Sequence, residues 1–156
     1  MTVLRSGRFR SCASGGSRSM SYQPHVFPVS IKGVVVRNGR VLLLRNERDE
    51  WELPGGKLDL GEEPAECVAR EIVEEVGWQV TAGPLLDAWQ YHIRDGVDVL
   101  IITYGCHVGT DADPVVSHEH KEAGLFTEAE VAALRMPDGY KKSIATWYAK
   151  LSTRVM

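Results

Sequence analysis

The sequence predicts an α+β domain in which a mixed β-sheet carries helices on its faces. Three observations support this. Two hairpin signals, Asn38-Gly39 and Asp95-Gly96, each join β-branched and aliphatic runs. A helix-period segment lies between them, and another follows near the C-terminus. The order strands, helix, strands, helix lacks the strict alternation of a parallel α/β fold. At 156 residues, 44% hydrophobic and 25% charged, the chain suits one domain with one core.

The first 22 residues are rich in Ser, Gly and Arg and show no apolar periodicity, so they are expected to form a disordered arm ahead of a domain spanning 23–156. A true start at Met20, with the first 19 residues an over-extended reading frame, or plain disorder, ranks above a transit peptide, despite the Arg- and Ser-rich, acid-free composition. Val29 to Arg37 and Arg40 to Arg45 form the first strand pair, followed by a short apolar piece at Trp51 to Leu53 and the turn Pro54-Gly55-Gly56. Glu63 to Val76 is a helix, with Pro64 at its first position and Gly77 as its stop. Its apolar residues Ala65, Val68, Ala69, Ile72, Val73 and Val76 fan over an arc of about 140°, the expected buried face. Leu85 to Arg94 and Val97 to Val108 form the second strand pair. Thr127-Glu128-Ala129-Glu130 is a capping box that opens a short helix ending before Pro137. Tyr140 to Leu151 places Ile144, Trp147, Tyr148 and Leu151 on one helical face.

Net charge is −3, but its distribution is skewed. Residues 1–46 hold eight basic residues and no acids, and the remainder holds 10 basic against 21 acidic, a net of −11. An acidic body repels nucleic-acid backbones, which argues against a nucleic-acid-coating protein and leaves room for divalent cations. No apolar run is long enough to span a membrane. Three cysteines, Cys12, Cys67 and Cys106, show no C-x-x-C spacing, so a reducing cytoplasmic setting is the expectation.

Glu71, Glu74 and Glu75 share an arc next to the buried face of the long helix, and each close pair costs about 0.2–0.5 kcal/mol. Arg70 relieves part of this. Three glutamates alone are more often a solvated face. The preceding Gly55-Gly56 shifts the balance, because carboxylates with a backbone carbonyl make the hard donor set of Mg²⁺ or Mn²⁺. Such a site implies metal-assisted attack on a phosphate linkage.

The stretch Gly56 to Trp78, GKLDLGEEPAECVAREIVEEVGW, resembles the Nudix box of the MutT-like hydrolases, G-x5-E-x7-R-E-U-x-E-E-x-G-U with U bulky and apolar. Gly56, Glu62, Arg70, Glu71, Ile72, Glu74, Glu75, Gly77 and Trp78 fill all nine specified positions, a chance match on the order of one in ten million. Trp78 is aromatic where an aliphatic residue is usual. The preceding W-E-L-P-G-G and the flanking strands are similar to the family as well.

The resemblance implies an α/β/α sandwich and hydrolysis of a diphosphate linkage in a nucleoside di- or triphosphate derivative. It also implies a metal set of Glu71, Glu74, Glu75 and the Gly55 carbonyl, with Arg70 orienting the glutamates and Gly56 and Glu62 organising the loop. The family's general base varies between a box glutamate and a later loop acid. Glu119, in His118-Glu119-His120-Lys121-Glu122, resembles the later acid, as metal ligand or base, with Glu122 second. A polar loop is as often merely solvated, and His118 and His120 are expected to face water.

Trp89 and Tyr91 share a strand face with Ile93 and are candidates to stack a nucleobase, although a core role is favoured about two to one. Tyr22, His25 and Phe27 are weaker candidates at the N-terminal edge. Lys32, Arg40 and Arg45 are candidates for phosphate contacts, against the usual outward placement of strand basics. Subgroup tags do not choose a substrate. Pro84 is the one proline soon after Trp78, too early for ADP-ribose hydrolases, and Tyr91 also arrives too early for diadenosine-polyphosphate hydrolases. Expected partners are a small nucleotide, no nucleic-acid polymer, no membrane and a second copy of the chain as homodimer. Two alternatives stay open: a non-catalytic Nudix-fold module that senses a nucleotide, against which the intact acidic positions weigh, and a solvated acidic helix with no metal.

Overall fold

Strand β1 (Val29–Arg37) is the axis of the sheet in the computed structural model, which describes residues 24–155. The expected N-terminal arm lies outside the described residues. At Asn38-Gly39 both residues take positive φ, 51° and 74°, as a type I′ hairpin requires, and the chain returns as β2 (Arg40–Arg45). The two strands pair only at Val36 with Val41 and Arg37 with Arg40, then splay. The gap is filled from both sides. β3 (Trp51–Glu52) pairs with the end of β2, and β4 (Gly55–Lys57) pairs with the start of β1, Ser30 opposite Lys57 and Lys32 opposite Gly55.

On its other side β1 runs parallel to β6 (Val97–Val108), which pairs antiparallel with β5 (Val80–Arg94). β7 (Glu122–Thr127) lies antiparallel along β2. The strand order β3-β2-β1-β6-β5 is a mixed sheet. Helix α1 (Pro64–Val76) covers one face, α3 (Asp138–Arg154) the other, and the short α2 (Glu128–Val131) follows β7. This is the expected α/β/α sandwich.

Alternation along β1 and β2 divides the core into two layers. Ile31, Val35, Leu42 and Leu44 pack with Cys67, Val68, Ile72 and Val76 of α1. Val34, Val41, Leu43 and Ile101 pack with Tyr140, Ile144 and Trp147 of α3. Each helix approaches the sheet over a glycine. A Cβ on Gly33 would stand 2.8 Å from Ile72 Cδ1 and 2.9 Å from Val68 Cγ2, and one on Gly105 would collide with the Trp147 indole. Among the described residues no helix is long and apolar enough to cross a membrane.

Several elements differ from expectation. α1 buries Cys67, Val68, Ile72, Glu75 and Val76, while Ala65 is exposed, so the helix is rolled to turn one glutamate inward. β5 begins at Val80 rather than Leu85 and runs through Pro84, which falls at a register shift in an edge strand where the missing N–H is tolerated. β4 and β7 are too short and too glycine-bearing to show a period of their own. The capping box at Thr127 forms both of its hydrogen bonds.

Gly105→Ala should cost about 1–3 kcal/mol through overpacking against Trp147. A lowered denaturant midpoint with unchanged slope is the expected reading. Gly109→Ala, with no atom within 4 Å of the added methyl, should stay within about 0.5 kcal/mol of the parent.

Candidate active site

Pro54-Gly55-Gly56 brings β4 beneath the acidic side of α1. Gly55 takes φ 130°, and a Cβ there would strike the Ile31 carbonyl oxygen. The space a Gly56 side chain would need holds the Glu71 carboxylate. Only a glycine pair lets α1 come this close to the sheet.

Arg70 ties the acids together. Its Nε and Nη2 donate to the two oxygens of Glu62, at 2.6 and 3.0 Å. Nη1 donates to Glu71 at 2.9 Å and to Glu74 at 3.3 Å. Glu62 also accepts from the Asp59 N–H at 3.2 Å, closing the loop before α1. The hydrogen bonds that Arg70 donates hold the Glu62 pKa down at about 2 and in turn raise that of Arg70.

Glu75 points the other way. It is 4% exposed and accepts from the Gly55 N–H at 2.8 Å. Burial pushes its pKa up to about 7, against the pull of Lys32 and His120. Lys32 is itself buried on β1. Its ammonium donates to the Gly55 carbonyl at 2.7 Å and stands 3.9 Å from Glu52. Burial works against that charge, but the surrounding carboxylates, Glu52 first, outweigh it and raise the pKa. Burial likewise opposes ionisation of Glu52, yet Lys32 and His120 hold its pKa at about 2. His120 Nε2 lies 3.1 Å from Glu52 and 3.8 Å from Glu75, and the hydrogen bond to Glu52 raises its pKa.

These groups surround one cavity of about 500 Å³, with Glu71, Glu74 and Glu75 on α1, Glu52 and Lys32 on the sheet, and Glu119 and His120 on the segment between β6 and β7. That segment is laced to the end of α1 by Ser117 N–H donating to the Glu75 carbonyl at 2.8 Å and Val115 N–H to Val76 at 3.1 Å. Beyond Lys32, Glu52, Gly56 and Lys57 the cavity continues into a second lobe of about 360 Å³, walled by Tyr91 and Ile93 of β5, Val97, Val99 and Ile101 of β6, and Tyr140 of α3. The result is a cleft with an acidic half and an apolar half.

The donors of the acidic half are carboxylates and the Gly55 and Gly56 backbone with one imidazole, His120, a mainly oxygen set that fits a hard divalent cation. Among the described residues no three acidic, histidine or cysteine side chains already converge into a coordination sphere, and Arg70 holds oxygens of Glu71 and Glu74.

The structure therefore brings Gly55, Gly56, Glu71, Glu74, Glu75 and Glu119 to one cavity, with Glu62 and Arg70 bracing it. Tyr91 walls the apolar lobe. Trp89 lines neither lobe: it packs edge-on to Tyr140 at 5.3 Å and over Gly139. His25 and Phe27 border a separate recess beside Gly96 and Asp98, and Tyr22 lies outside the described residues. Arg40 and Arg45 form exposed pairs with Glu130 and Glu122, away from the cleft, so Glu122 is not at the cavity. His118 is exposed as expected, whereas His120 is 9% exposed and not solvent-facing, because Glu52 and Glu75 flank it. Glu52, Lys32 and His120 were not legible as a group. The one available signal was Lys32 inside a strand whose other interior residues are mostly apolar.

The NUDIX domain family model matches residues 27–148. A MutT-like protein of Streptomyces ambofaciens is 33% identical over 123 residues, 74% of this chain and 78% of the relative. A putative ADP-ribose pyrophosphatase of Bacillus subtilis is 41% identical over 63 residues, 40% of this chain and 30% of the relative, so the aligned region spans under a third of that protein. Among solved structures, a MutT protein from Methanosarcina mazei superposes with TM-score 0.68 at 24% identity, covering 80% of this chain and 94% of that one. An Ap4A hydrolase from C. elegans superposes with TM-score 0.71 at 19% identity, covering 81% and 98%. These two likenesses show a shared fold. With the family model covering most of the chain and the box acids lining its cleft, the protein belongs to the Nudix hydrolase family.

Proposed function

We propose that this Nudix hydrolase cleaves a diphosphate linkage in a nucleoside di- or triphosphate derivative, using Mg²⁺ or Mn²⁺ and water attack at phosphorus. The observation that carries the reading is the two-part cleft, in which the box glutamates and Glu119 face one cavity that opens directly into an apolar lobe. Glu71, Glu74 and Glu75 would hold the cation, with the Gly55 carbonyl and Glu119 as further donors. When bound, a divalent cation neutralises phosphate charge and acidifies a coordinated water.

The chain's own groups supply the rest. Arg70 and Glu62 brace the acidic face so that its carboxylates do not scatter into solvent. Lys32 and Lys57 stand where the two lobes meet and offset phosphate charge there. Glu119, exposed on its loop, would take the proton of the attacking water. Tyr91 offers a ring face to the group carried by the phosphates, while Trp89 supports it from behind at 5.4 Å. Two buried thiols, Cys67 and Cys106, unpaired in the structure, accord with a reducing cytoplasmic setting for this activity.

A panel of nucleotides with Mg²⁺, read by the products released, tests the reading. Glu74→Gln, at an exposed position, should lower kcat at least about 100-fold while leaving the unfolding midpoint nearly unchanged. Activity untouched by that change would remove the assignment. Glu119→Gln should cost about 100-fold or more in kcat, as loss of the base requires.

Acidity gives a separate prediction. The Glu75 pKa is raised to about 7 from an ordinary 4.5, so its contribution to stability is complete below 4.5 and is lost as pH rises through about 7. His120, also raised, loses its contribution in the same direction, whereas Glu52 loses its own only as pH falls towards 2. Metal-free protein should therefore melt at lower temperature at pH 8 than at pH 5.5. Mg²⁺ should reverse the fall, and Glu75→Gln should shrink it.

A further inference from the structure

The box ends on a tryptophan, and the structure gives that residue a use an aliphatic side chain could not serve. Trp78 follows the Gly77 stop of α1 and is 1% exposed, yet its indole N–H reaches out to donate to the Ala112 carbonyl at 3.1 Å. The Arg37 guanidinium, at the end of β1, lies over the same indole, 4.3 Å from the ring centre. From there it donates to the Thr110 carbonyl at 3.1 Å and to the Ala112 carbonyl at 2.6 Å. One carbonyl of the segment between β6 and β7 thus receives two side-chain donors that are stacked on each other.

Beyond this anchor the segment is fixed step by step. Val115 N–H and Ser117 N–H bond the carbonyls of Val76 and Glu75. A turn from Ser117 to His120 then presents Glu119, and Lys121 N–H bonds the Arg45 carbonyl where the segment enters β7. Thr110 and Ala112 are the first of these fixed points on the side of β6, and their carbonyls are held by the side chains of Arg37 and Trp78.

We propose that Arg37 and Trp78 are positioning residues for Glu119, an anchor behind α1 that sets where the acid meets the cavity in front of it. The inference rests on the reading that Glu119 takes part in the reaction. Neither residue lines the cleft, so neither touches substrate. Their effect passes through the backbone of residues 110–119. A displacement of an acid by about 1 Å is enough to cost a rate up to 100-fold, so loss of the anchor should appear in kcat and not in substrate affinity.

The test uses the full chain with Mg²⁺ and whichever nucleotide the panel identifies, comparing Trp78→Phe, which keeps the ring and removes the donor, with Arg37→Gln and Arg37→Lys. Trp78→Phe and Arg37→Gln should lower kcat about tenfold or more with KM within about twofold, and Arg37→Lys should recover part of the loss. Either change added to Glu119→Gln should bring no further loss. Hydrogen exchange gives a second readout independent of turnover: the Val115 and Ser117 amides should exchange at least about tenfold faster, with β1 and β6 unchanged. Unchanged kcat and unchanged exchange, or losses that multiply with that of Glu119→Gln, would overturn the anchor. Should the chain turn over no nucleotide, the proposed function fails and exchange alone decides, faster exchange upholding the anchor and unchanged exchange overturning it.

Discussion

Everything in this molecule is arranged around one electrostatic constraint: several carboxylates are gathered against a glycine strand where water is scarce. Glu71 lies on Gly56 and Glu75 on Gly55, and the absence of side chains there is what permits the approach. Two cations oppose the repulsion from opposite sides. Arg70 collects Glu62, Glu71 and Glu74 at the rim, where solvent screens the charges and the pairing serves to orient them. Lys32 does the equivalent work inside the sheet, between Glu52 and the Gly55 carbonyl. Glu75 is the most buried of the acids, and burial outweighs the pull of Lys32, the Gly55 N–H and His120, so that its acidity is weakened.

The sheet supplies the room. If β1 and β2 stayed paired beyond Val36, there would be no edge for β4 and no reason for the Gly55 backbone to face α1. Alternation between the two faces of the sheet keeps the layers of core apart, so that α1 rests on Gly33 and α3 on Gly105 without competing for the same side chains. The scaffold is rigid where the acids are held. The segment bearing Glu119 and His120 lacks regular structure and depends on individual hydrogen bonds to α1, β1 and β2.

Much of this was legible from local pattern. The Asn38-Gly39 turn, the Pro64 start and Gly77 stop of α1, and the Thr127 capping box are signals carried by adjacent residues, and each appears where it was expected. The nine box positions carried the acidic half of the cleft for the same reason, since eight of them lie between Glu62 and Trp78 on or beside a single helix. What could not be read depends on contacts between distant segments. Glu52 and His120 are 68 residues apart, and Lys32 to Gly55 spans 23. Helical periodicity placed Glu75 beside the apolar arc of α1, but the roll that buries it is set by β4, an element three residues long with no period of its own. Trp89 and Tyr91 share a strand face, and only the position of Tyr140 separates packing support from cleft wall.

The division of the cleft between unlike parts of the chain has an evolutionary consequence. The acidic lobe is drawn mostly from β4, α1 and one loop, whereas the wall that the apolar lobe does not share with it comes largely from β5, β6 and α3, which contain none of the box residues. Chemistry and recognition can therefore drift independently, since replacing Tyr91, Ile93 or Val99 reshapes what is held without disturbing how the acids are braced. Lys32, Glu52, Gly56 and Lys57 belong to both lobes, and of these Lys32 is the buried cation. A lineage that changes it alters both at once, which makes this strand position the hinge between inherited reactivity and acquired taste in substrates.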